Sequence, residues 1–212
     1  QYEMRYEAIL SLLKENNFDV EILSAVVGRG GLLPPVKSGA YLINELMLDR
    51  LKYRPLVEHA ANLGAIIAYE IAKPLGIASY IYDSVSVDEF DDIARISGLE
   101  EIERKTFSHA LNMRAVAIAT AKKMGKKYCD MNLIVAHLGG GISVSMHRNG
   151  KMIDIVSDDE GSFSPERTGG LQCKELMKIC YENDKDVMLK KLRGKGGLIS
   201  YLGTNNRSKS VV

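Results

Sequence analysis

Residues 134–145 read IVAHLGGGISVS: an apolar run, three consecutive glycines, and a second run that starts at once. Such a chain must pass from one strand into another through a turn that carries no Cβ. Successive glycines let backbone N–H groups converge on an anion. His137, just ahead of the turn, adds a donor that can reach a phosphoryl oxygen. No helical pattern follows Gly141, so the motif is neither a Rossmann fingerprint nor a Walker loop, both of which open a helix. Taken alone, a triple glycine suits an ordinary tight hairpin equally well.

The 212 residues suffice for one large domain or two small ones. With 46% hydrophobic and 26% charged residues, the composition is that of a globular protein. A net charge of +1 gives no reason to expect nucleic acid or an acidic membrane surface as partner. No apolar run reaches the length of a membrane helix, and Glu70 interrupts the longest candidate. Cys129, Cys173 and Cys180 are odd in number and lack metal-ligand spacing, so they are expected reduced and buried, as in a cytoplasmic protein. The first residues already read as mid-helix, and the last follow a glycine-rich turn. The chain is therefore expected to be part of a longer protein.

Hydrophobic periodicity predicts alternating elements. Tyr6, Ile9, Leu10 and Leu13 share a helical face that Asn16 and Asn17 end, and the run at 20–27 reads as a strand feeding Gly28-Arg29-Gly30-Gly31. Helices are expected over 39–53 and 58–75, a strand over 78–82 ending at Asp83, and a short helix over 88–95 capped by Asp88 or Ser86. A helix follows with Phe107, Leu111, Ala115 and Ile118 on its apolar stripe, ending at Gly125. Strands over 131–138, 142–147 and 151–156 come next, the last two joined by an Asn149-Gly150 hairpin signal. Helices near 173–182 and 184–192 complete the α/β pattern. The change from helix–strand alternation to a three-strand meander places a boundary near 83–86, dividing the chain into residues 1–84 and 85–212.

Four turns are candidates for chemistry: the one holding Arg29, Asp83, the glycines Gly139, Gly140 and Gly141, and the loop from Glu160 to Arg167-Thr168-Gly169-Gly170. Open α/β sheets bind ligands at strand ends. An arginine between glycines suits bidentate binding of carboxylate or phosphate, though either Arg29 or Arg167 alone also reads as a solvated loop residue. Asp83 is a candidate Mg²⁺ ligand or simply a turn residue. His59 and His109, each taken alone, read more readily as structural residues, and His147 is expected at the surface. Together these groups suit phosphoryl transfer to an acid: arginines neutralise the phosphoryl group and glycine N–H groups hold nucleotide phosphates. A carboxylic acid with a pKa of about 4 to 5 is ionised at neutral pH and needs no base, unlike a hydroxyl acceptor.

Several segments together are specific. Gly28-Arg29-Gly30-Gly31-Leu32-Leu33-Pro34-Pro35-Val36, His59-Ala60-Ala61-Asn62, residues 88–98, His109-Ala110-Leu111-Asn112, His137 through Ser143, Phe163 through Gly170 and Gly194 through Leu198 closely resemble butyrate kinases, members of the acetate kinase family within the actin-like ATPase superfamily. The resemblance runs in order along the chain to about Arg207. It implies a two-domain, ribonuclease H-like kinase fold, here incomplete at both ends, with residues 1–84 in an acid-binding domain and 85–212 in a nucleotide-binding domain. It also implies a cytoplasmic, homo-oligomeric enzyme that uses ATP and Mg²⁺ to convert butyrate reversibly to butyryl phosphate and ADP.

By the same resemblance, Arg29 meets the acid's carboxylate and the transferred phosphoryl, and Asp83 orients the reaction or supports Mg²⁺. His109 donates to the transition state, and Arg167 is the second catalytic arginine. His137, Gly139, Gly140 and Gly141 form a phosphate turn, and Asn206 and Arg207 lie beside the adenosine. Asp159 and Ser162 stand where the family commonly has Gly and Pro, and Asn206 where Asp is usual. The alternatives are a branched acid such as isobutyrate as substrate, a catalytically incomplete piece that binds a partner half, and a sugar or glycerol kinase of the same superfamily.

Overall fold

A computed structural model describes residues 1–204, and the chain divides between Asp88 and Glu89 into two compact units. In the first unit, α1 (Tyr2–Glu15) precedes a 3₁₀ turn at Val20–Ile22 and strand β1 (Ala25–Arg29). Strand β2 (Ala40–Leu42), helices α2 (Glu45–Tyr53) and α3 (Asn62–Ala72), and strand β3 (Ala78–Tyr82) follow. β3 is central, parallel to β1 and antiparallel to β2. Ala65, Ile66 and Ala68 of α3 pack with Leu48 and Leu51 of α2, Ile81 of β3, and Leu33 and Ile43 to form the core.

The β-branched run at 20–27 is broken because the Asp19 carboxylate accepts from the Glu21 N–H and winds a 3₁₀ turn before β1 starts. The expected helix over 39–53 begins only at Glu45. Residues 40–42 pair with β3, and the Asn44 side chain caps α2 by accepting from Met47 N–H. The helix expected over 58–75 is α3 alone. His59 Nδ1 accepts from Ala61 N–H just ahead of it, and Pro74 tightens its end into a 3₁₀ turn at Lys73–Leu75. A short 3₁₀ helix at Asp92–Arg95 replaces the one expected over 88–95. Residues 87 and 88 remain extended because Asp88 N–H donates to Val36 O and Val87 bridges Val36.

In the second unit, α4 (Ala110–Lys123) lies against an antiparallel sheet of β4 (Leu133–Leu138), β5 (Ile142–Arg148) and β6 (Lys151–Val156), in that order. Asn149 and Gly150 both have positive φ, the conformation of a two-residue hairpin turn between β5 and β6. Helices α5 (Cys173–Tyr181), α6 (Lys185–Leu192) and α7 (Leu198–Leu202) follow. α4 buries Ala110, Met113, Arg114, Ala117 and Ala121, while Phe107 and Ile118 of the expected stripe are exposed. Small residues face the sheet, and Arg114 is buried because it has partners there.

His147, expected at the surface, is completely buried. Arg114 Nη1 lies 3.4 Å from Tyr128 Oη, Tyr128 Oη lies 2.7 Å from His147 Nδ1, and His147 Nε2 lies 2.6 Å from Ser145 Oγ. Donation can run unbroken from the guanidinium through phenol and imidazole to the Ser145 hydroxyl, which reaches Val135 O. Only a neutral imidazole accepts on one side while donating on the other. Burial and the nearby Arg114 charge lower the His147 pKa to about 4. The three cysteines, expected buried, are all exposed free thiols. Among the described residues no helix is long and apolar enough to cross a membrane.

Candidate active-site residues

In the first unit, parallel pairing sets Arg29 beside Tyr82, so Arg29 and Asp83 stand at the same end of adjacent strands. The close crossing of β1 and α3 explains part of the glycine motif. A Cβ on Gly28 would lie 2.3 Å from the Gly64 carbonyl oxygen, and one on Gly64 would lie 2.2 Å from that of Arg29. Arg29 itself is exposed. Asp83 is buried, with φ of 39°, an uncommon conformation outside glycine. Its Oδ1 accepts from Gly39 N–H at 2.9 Å, and its own N–H donates to Gly39 O.

The loop between these positions is held by groups that spacing alone does not single out. The buried Asn62 accepts from Leu32 N–H and donates to Val57 O, both at 2.9 Å. Ser86 Oγ accepts from Leu33 N–H at 2.9 Å.

In the second unit, the turn between β4 and β5 brings together most of the remaining expected residues. His137 and His109 stack with ring centroids 3.7 Å apart and planes 7° from parallel. His109 Nδ1 lies 2.9 Å from Ser143 Oγ, and His137 Nδ1 lies 3.0 Å from Asn112 Nδ2. The loop carrying Arg167 folds over the glycines: Glu166 N–H and Ser164 Oγ both donate to Gly140 O, at 3.1 and 2.6 Å. Arg167 Nε lies 3.3 Å from Asp158 Oδ2, and Asp158 also pairs with Arg193.

None of Gly139, Gly140 and Gly141 has a positive φ. Gly139 is required for space, since a Cβ there would lie 2.6 Å from His137 Nε2. At Gly140 the nearest atoms are the Glu166 carboxylate, at 3.5 Å. Sequence reasoning missed Asn112, Ser143, Asp158 and Glu166 as parts of this cluster. Only Asn112, one helical turn beyond His109, left a spacing signal. Asn206 and Arg207 lie outside the described residues.

The chain has the fold of acetate and propionate kinases. It aligns with the acetate kinase of Porphyromonas gingivalis at a TM-score of 0.76 and 22% identity, covering 94% of this chain and 55% of that one. For a propionate kinase of Francisella tularensis the TM-score is 0.77 and the identity 21%, covering 96% and 56%. Residues 99–158 match the model of the Acetokinase family. Within that class the chain is a homologue of butyrate kinases: it is 51% identical over 210 residues to butyrate kinase 2 of Clostridium acetobutylicum, covering 97% of this chain. It spans 59% of that relative's length.

Proposed function

We propose that this chain carries acid- and phosphate-handling residues of a short-chain fatty-acid kinase, which transfers the γ-phosphoryl of ATP to the carboxylate of butyrate. A carboxylate oxygen forms the new P–O bond while the bond between the γ-phosphorus and the β,γ-bridging oxygen breaks, leaving butyryl phosphate and ADP. The acid is already ionised, so its activation needs no base. The observation that carries the reading is the cluster of His137, His109, Arg167 and the glycine turn in one unit of a chain homologous to butyrate kinases.

Arg29 binds the carboxylate as a planar two-pronged donor. Arg167 leaves part of its pairing with Asp158 to neutralise charge on the phosphoryl oxygens. His109 donates to those oxygens, and His137 with the glycine turn receives the nucleotide phosphates. Mg²⁺ usually takes one or two carboxylates, with phosphate oxygens and water completing its shell. Asp83 fits as one such carboxylate, and among the described residues no cluster of three or more His, Cys, Asp or Glu side chains offers a separate cage. Mg²⁺ would neutralise phosphate charge when bound with ATP. An ATP-dependent reaction in a protein with three exposed thiols suits the reducing cytoplasm.

The test is hydroxylamine trapping of acyl phosphate by the 212-residue chain with MgATP and butyrate, isobutyrate or acetate, beside calorimetric titration with ADP. Acyl hydroxamate formed best from butyrate is the expected result. Phosphorylation of glycerol with none of any acid, or no ADP binding by the folded chain, overturns the assignment.

A further inference from the structure

We propose that Asn112 is a positioning residue that holds the His137 imidazole as its Nε2–H tautomer, so that the ring presents an N–H donor above the glycine turn. What that donor serves rests on the phosphoryl-transfer reading; the tautomer itself does not.

Two independent features fix the ring. Asn112 stands one helical turn after His109, and its Nδ2 approaches His137 Nδ1 at 3.0 Å. An amide nitrogen donates only, so Nδ1 must accept and the proton of a neutral ring must sit on Nε2. The opposite edge of the same ring lies over the turn, where His137 Nε2 occupies the space that a Cβ on Gly139 would need, at 2.6 Å. The nitrogen that keeps its proton is therefore the one beside the glycines.

The stack removes a further freedom. His109 lies parallel to His137 at 3.7 Å and is itself tied through Nδ1 to Ser143 Oγ. That hydroxyl also reaches Met113 Sδ at 3.8 Å, on the buried side of α4. The stack holds the plane of the His137 ring, and the Asn112 contact sets which edge faces α4. Turning the Asn112 amide over would place its oxygen against Nδ1. The ring proton would then move to Nδ1, and Nε2 would be left bare above the turn. The side chain of Asn112 thus decides whether this edge donates or accepts.

The proposal is tested by long-range ¹H–¹⁵N spectra of the ¹⁵N-labelled 212-residue chain at pH 8, with His137 signals assigned by their loss in His137→Gln. The expected result is an Nε2–H ring in the unaltered chain and an Nδ1–H ring in Asn112→Asp, whose carboxylate can only accept. An Nδ1–H ring in the unaltered chain, or an unchanged ring in Asn112→Asp, overturns the proposal. Asn112 is exposed, so Asn112→Asp does not threaten the fold.

A second arm uses Asn112→Ala, which adds no charge, and titrates it with MgADP. Affinity is expected to fall about fivefold, a typical loss for one hydrogen bond, and to fall no further when His137 is already Gln. A drop of equal size in the His137→Gln background overturns the proposed route through His137. A tautomer that switches while MgADP affinity stays constant supports the positioning role and overturns the phosphate reading of the turn.

Discussion

Arg29 ends β1 exposed, while the glycines around it are pressed against Gly64, Ser84 and Asn62. The backbone is thus held by contacts that leave the guanidinium uncommitted to the core. Arg29→Ala should therefore leave folding intact, lower acyl phosphate formation by about 100-fold or more, and barely change ADP affinity. Near-normal turnover in the hydroxylamine assay would remove Arg29 from the chemistry. The glycine turn permits a sharper contrast. Gly140→Ala meets nothing closer than 3.5 Å, so the fold should be unchanged and any loss of ADP affinity should reflect the new methyl group facing the ligand. Gly139→Ala places its methyl 2.6 Å from His137 Nε2 and must displace that ring. Calorimetry should find both variants weakened, with the His137 resonances moved only in Gly139→Ala. Unchanged ADP affinity in Gly140→Ala would return the turn to an ordinary hairpin.

At the scale of elements, α4 is joined to its sheet as much by a polar network as by apolar contact. Arg114 donates to Glu89 at 2.5 Å and to Gly150 O at 2.8 Å, and both side chains of the ion pair are nearly inaccessible. Arg114→Met would leave the buried Glu89 carboxylate without its cationic partner and should cost about 3–5 kcal/mol by denaturant melting, with part of the loss recovered in the double variant with Glu89→Gln. His147, in the same network, makes stability depend on pH. Its pKa is lowered to about 4 in the folded chain from 6.5, so between those values the unfolded state binds more protons. Stability is fully present above pH 6.5 and falls as pH drops toward 4, by about 3 kcal/mol in total. His147→Gln should flatten that part of the stability profile; an unchanged slope would show that other groups produce it. This network was hidden in the sequence because a histidine next to Arg148 at a strand end looks solvated. The periodicity of α4 misled for a related reason: its large apolar residues were expected inside, but close packing on the sheet selected alanines. Asn149-Gly150 and the β4–β5 turn were legible because their backbone demands are local.

Over the whole molecule, the strand ends that carry Arg29, Asp83, His137 and the glycine turn were legible because apolar runs stop there and glycines begin. Their side-chain partners were not, since Asn112, Asp158 and Glu166 reach the turn from other elements through packing that no local pattern encodes. The same holds for surface exposure. β4 alternates as a half-buried strand should, with Leu133, Val135 and His137 on the side that is partly covered. Its other side is apolar rather than polar: Ile134 is 74% exposed and Leu138 69%, and they pair with Met146 and Ile142 across the β4–β5 ladder. Met146 and Val156 are also exposed, which makes one continuous apolar sheet face rather than scattered single residues. Contiguous apolar surface favours association, because burying it against another copy removes it from water. The 212-residue chain should therefore self-associate as its concentration rises, and Ile134→Lys with Leu138→Glu should suppress this in sedimentation velocity. Because neither side chain contributes to a buried core, the double variant should lose no more than about 1 kcal/mol of stability. A loss of several kcal/mol would mean that this face is covered in the folded chain, and undiminished association would place the sticky surface elsewhere.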